Sequence, residues 1–103
     1  MNRYALTLLL PLLLPGAAEA QVKGDAAIGR AIAERWCAAC HIVSPEQTSG
    51  SADVLTFMTI AEQAEEDLGS LKAFLADPHP VMPDMSLTRQ EIRDIAAYIG
   101  SLR

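Results

Sequence analysis

The chain has 103 residues, half of them hydrophobic, and a formal net charge of −5. That length suits a single domain. An acidic chain with no basic stripe is a poor nucleic-acid binder, and no glycine-rich phosphate cradle is present.

The first predicted element is a leader. A short start carrying Arg3 runs into the leucine-rich stretch from Ala5 to Leu14, followed by Pro15-Gly16 and then Ala18-Glu19-Ala20. Small residues at Ala18 and Ala20 match the recognition pattern of signal peptidase. The apolar run contains Pro11 and is shorter than the roughly 20 residues needed to cross a bilayer. Residues 1–20 are therefore read as a signal peptide cut before Gln21, with 21–103 as the mature domain. The leader holds one Arg and one Glu, so the mature net charge stays at −5. The protein is expected to work in the periplasm, with no membrane span in the mature chain.

A domain this small buries a thin core and commonly depends on a disulfide, a metal or a cofactor. Four helices and no strand are predicted. The first runs from about Asp25 to Cys37, with Asp25 as N-cap and Ile28, Ile32 and Trp36 on one face. Residues 44–51 are rich in Ser, Pro, Thr and Gly and read as a loop. A short second helix covers Phe57 to Ala64. The third begins near Asp67, carries Leu68, Leu71 and Leu75 on one side, and stops at Asp77 because Pro78 follows. Asp77 to Asp84 holds three prolines and is irregular. In the last helix Thr88 and Glu91 form a capping box and Leu87 and Ile92 a hydrophobic staple. Ile92, Ile95, Ala96, Ile99 and Leu102 then make a continuous apolar face. Irregular segments between helices leave backbone groups in need of partners, which suits a chain wrapped around a cofactor.

The chemistry lies in Cys37-Ala38-Ala39-Cys40-His41, the attachment signature of c-type haem. Two thiols three positions apart can each add to one vinyl group of the same porphyrin edge. The histidine after the second thiol is then carried beneath the iron as its proximal ligand. Other uses of the cysteines fit less well. A disulfide across two intervening residues closes a tiny loop and stabilises little. A thioredoxin-like pair opens a helix after a strand, whereas this pair closes a helix. A zinc site wants four ligands, and His41 and His79 complete no common spacing.

With these motifs in view, residues 24–103 resemble the class I bacterial monohaem cytochromes c. The resemblance rests on Cys-x-x-Cys-His at the end of an N-terminal helix and on Gly29, eight residues before the first cysteine. It rests also on Met82 in the segment Pro78-His79-Pro80-Val81-Met82-Pro83, ahead of a helix ending in Ala97-Tyr98-Ile99. It implies an all-α cytochrome c-type fold, three to four helices wrapped around one covalent haem c, with Gly29 facing Tyr98 where the terminal helices cross. Ala33 stands where the family often has an aromatic, so that crossing is expected to be thinner. It implies single-electron transfer between redox partner proteins rather than catalysis.

Met82 is the expected distal iron ligand, since it precedes Pro83 as in the family's ligand segment and proline restrains the loop. Met85 is the runner-up, and His79 a rival that would give bis-histidine ligation and a lower potential. Met58 is expected in the core. Trp36, Phe57, Phe74 and Tyr98 are candidates to line the haem pocket, and Arg30, Arg35 and Lys72 to pair with the propionates. The acidic run Glu62, Glu65, Glu66 and Asp67 reads as solvated surface or a docking patch. Two other functions stay open: an electron-transfer subunit of a larger oxidoreductase, and a haem sensor or peroxidase-like protein with an open sixth site.

Overall fold

A computed structural model describes residues 23–78 and 81–103. The expected leader and its cleavage site, and the candidate ligand His79, lie outside the described residues. Among the described residues there are four helices and no strand: α1 (Ala26–Trp36), α2 (Phe57–Gln63), α3 (Gly69–Ala76) and α4 (Arg89–Gly100). None of them is long and apolar enough to cross a membrane.

Local chemistry sets the helix starts. The Asp25 side chain accepts from the amides of Ala27 and Ile28 at the head of α1. Thr56 caps α2 by accepting from the Thr59 amide. Thr88 and Glu91 form the expected capping box on α4, each satisfying the other's backbone N–H. The third helix departs from its expected start near Asp67. Leu68 adopts a left-handed conformation (φ 59°), and Asp67 instead accepts from the Gly69 amide at 3.0 Å. The Asp67 side chain thus makes a turn ahead of the helix rather than its first turn.

The frame is the packing of α1 on α4, the most extensive contact between helices, with α2 and α3 also resting on α4. At Gly29 a Cβ atom would stand 1.8 Å from the Asp94 carbonyl oxygen, and at Gly24 one would stand 2.0 Å from that of Arg93. Only residues without a side chain let the backbones come so close. The atoms nearest to Gly29 on α4 are the backbone of Asp94 and Ile95. Ala33, on the same helix as Gly29, is fully buried in the core. Asp94, buried on α4, accepts from the Asp25 amide and from the Gln90 side chain, each at 2.8 Å. These bonds satisfy a carboxylate that would be costly to bury alone. At the far end, Arg103 donates to the carbonyls of Ala61, Ala64 and Glu65, closing the C-terminus of α2.

Candidate haem site

The segment between α1 and α2 has no regular structure, so its form depends on individual hydrogen bonds. Cys37 caps the C-terminus of α1, and the His41 amide turns back to donate to the Cys37 carbonyl at 2.9 Å. This turn puts Cys37, Cys40 and His41 on the wall of one cavity of about 720 Å³, a volume in the range of cofactor pockets. Both thiols are free, Cys37 buried and Cys40 exposed. Burial pushes the Cys37 thiol up to about 11.

His41 is held by its ring. Nδ1 lies 2.6 Å from the Leu55 carbonyl oxygen, which can only accept, so Nδ1 carries the proton. Nε2 is left with its lone pair, on a residue that lines the cavity. A histidine that donates from one nitrogen to a carbonyl is oriented and made more basic for binding a metal through the other. Phe57 packs against this ring (centroids 5.4 Å apart), and Tyr98 lies behind Phe57 at 6.4 Å.

The rest of the lining is mainly apolar. Leu55, Phe57 and Ile60 contribute from the start of α2, and Leu71, Phe74 and Leu75 from α3. Val81, Met82, Pro83 and Met85 contribute from the irregular segment before α4. That segment turns at Ser86 (φ 51°), whose amide donates to the Asp84 side chain at 2.8 Å.

The other expected site residues divide. Trp36, Phe57 and Phe74 line the cavity; Tyr98 stands behind it, buried, with its hydroxyl donating to the Val43 carbonyl at 2.6 Å. Met82 and Met85 both line it, and Met58 packs against the core. Of the cations proposed for the propionates, Arg30 is engaged by Glu34 at 2.7 Å and Glu46 at 3.6 Å. The Lys72 ammonium donates to the Asp67 carbonyl, and neither residue lines the cavity. The Arg35 guanidinium sits 5.0 Å over the Trp36 ring, beside the cavity wall. Within the acidic run, Glu65 reaches the lining and the other three stay exposed. Leu55 and Gln47 were not legible as site residues. Leu55 acts through its backbone, and Gln47 sits in a polar loop where nothing in its type sets it apart.

Two thiols, an imidazole with a free nitrogen and two thioethers around one apolar cavity are the donor set of a covalent haem protein. The class defined is a small all-α haem-binding domain. Residues 26–103 match the Cytochrome c family. Cytochrome c-552 of Bradyrhizobium diazoefficiens is 42% identical over 103 residues, covering 100% of this chain and 99% of that protein. No solved structure gives a significant match. The chain belongs to the cytochrome c family, as a bacterial class I monohaem member that carries covalent haem c and transfers electrons.

Proposed function

We propose that the protein is a periplasmic single-electron carrier with one haem c, which Cys37 and Cys40 would hold covalently and whose iron His41 and Met82 would ligate. Residues 1–20 act as the export signal, removed before Gln21. The observation that carries this reading is the His41 ring. Its Nδ1 proton is committed to Leu55, so its free nitrogen serves a cavity that Cys37, Cys40 and Met82 also line. When bound, the haem iron takes up and releases one electron. The chain's residues tune and protect that exchange. His41 supplies an imidazole nitrogen whose orientation Leu55 fixes. The Met82 thioether is a soft donor that favours the ferrous state and raises the potential. Phe57, Leu71, Phe74 and Leu75 give the cofactor an apolar wall. The acid–base and nucleophilic machinery of an enzyme is not required, since the redox partner proteins only dock and leave.

The test separates the two methionines. Met82→Ala is expected to lose the sulfur-to-iron charge-transfer band of the ferric form, lower the potential and admit carbon monoxide to the reduced protein. Met85→Leu conserves volume without a coordinating sulfur and is expected to leave all three unchanged. The reverse pattern would make Met85 the ligand; no change in either would favour His79.

A further inference from the structure

The carboxamide of Gln47 grips the attachment motif at two places. Its Oε1 accepts from the Val43 amide at 2.9 Å, and its Nε2 lies 3.0 Å from the Ala38 carbonyl, 2.8 Å from that of His41 and 2.8 Å from that of Ser49. The amide's orientation follows from its neighbours: an N–H on one side demands the oxygen, and carbonyls on the other demand the nitrogen. Two N–H protons serve three carbonyls, so one of them is shared. Ala38 lies between the cysteines and His41 directly follows them, so one side chain ties both parts of the motif together. Val43 is 1% exposed, which removes water as an alternative partner for its amide. Its carbonyl is held by Tyr98 from α4. The loop thus has no regular structure but is anchored on both sides of His41.

We infer that Gln47 is a positioning residue for His41, setting through the backbone how firmly the imidazole is presented to the iron. This rests on the proposed ligation by His41. Leu55 fixes the rotation of the ring, and Gln47 fixes the backbone from which the ring projects; a ligand held at only one of these points can tilt or withdraw. Groups that orient a ligand from outside the coordination sphere commonly change metal affinity 10- to 100-fold when removed. Ferric iron depends more on a strong nitrogen donor than ferrous iron does, so a loosened imidazole raises the potential.

The experiment uses the haem-loaded protein and two variants, Gln47→Ala and the volume-conserving Gln47→Met. The expected result is a raised midpoint potential, changed paramagnetic shifts of the His41 ring protons, and exchange of the Val43 amide proton about tenfold faster, since one hydrogen bond is lost. A fall in Tm with the potential and the His41 ring shifts unchanged would make Gln47 merely structural and overturn the inference. If the unmodified protein shows no paramagnetically shifted His41 ring, the ligation reading itself fails and takes this inference with it. If neither variant folds, the unmodified protein still decides. Slow exchange of the Gln47 side-chain amide protons that differs between the oxidised and reduced forms supports the inference, and exchange at the rate of a free side chain, or independent of oxidation state, overturns it.

Discussion

Nδ1 of His41 lies 2.6 Å from the carbonyl oxygen of Leu55, fourteen residues further along the chain. The bond joins the end of the attachment motif to the residue just before the cap of α2, so the second helix and the histidine share one anchor. The ring proton should therefore reside on Nδ1 in both oxidation states. Nitrogen-15 NMR of the reduced protein is expected to show a protonated Nδ1 that exchanges slowly with solvent. Rapid exchange would mean that the anchor does not persist in solution.

The thiols give a second prediction. Haem should stay on the chain after denaturation and extraction with acidic organic solvent, and the exported protein should have the mass of residues 21–103 plus one haem. Cys37→Ala or Cys40→Ala should lower the yield of folded protein, because a group that binds only the folded chain stabilises it. Complete extraction of the haem, or a mature chain beginning at Met1, would count against the attachment and the leader respectively.

At the helix crossing, Gly29→Ala opposes two effects. Helix propensity alone favours alanine by about 1 kcal/mol. Overlap with the α4 backbone costs about 3 kcal/mol, because a carbonyl cannot swing aside as a flexible side chain can. The net loss should be about 2 kcal/mol, a fall in Tm of roughly 10 °C for a domain of this size. Gly69→Ala is the control: its Cβ would meet only the Asp67 carboxylate, no closer than 3.4 Å, and it should be neutral or slightly stabilising. Calorimetry of the two variants checks both.

Tyr98 supplies a pH dependence. The residue is 4% exposed, and burial raises its phenol's pKa above the ordinary value of 10.0. A group whose folded pKa is raised contributes stability that is complete below the unfolded pKa and is lost as pH rises through the folded one. Tyr98→Phe should thus cost about 1–2 kcal/mol at pH 7, leaving the buried Val43 carbonyl without its hydroxyl donor. The gap between the two proteins should narrow above pH 10. Denaturant unfolding at pH 7 and at about pH 10.5 measures it, and a gap independent of pH would show that the phenol does not ionise with unfolding.

What the sequence settled by itself was local. The spacing of Cys37, Cys40 and His41 is a covalent constraint, readable without coordinates. The caps at Asp25 and Thr88, the apolar stripe of α4 and the stop before Pro78 depend on neighbours within one or two turns. The family resemblance pointed to a close crossing at Gly29, but the partner at that crossing is Asp94 backbone, which no side-chain pattern records. Only the tertiary structure brought together the carbonyl of Leu55, the carboxamide of Gln47 and the hydroxyl of Tyr98 around a loop without secondary structure. The physical reason is the same in each case. Hydrogen bonds to a backbone carbonyl can be made by any residue of the right reach, so the identity of Leu55 carries no trace of the bond, and the type of Gln47 reveals nothing until the loop around it is folded.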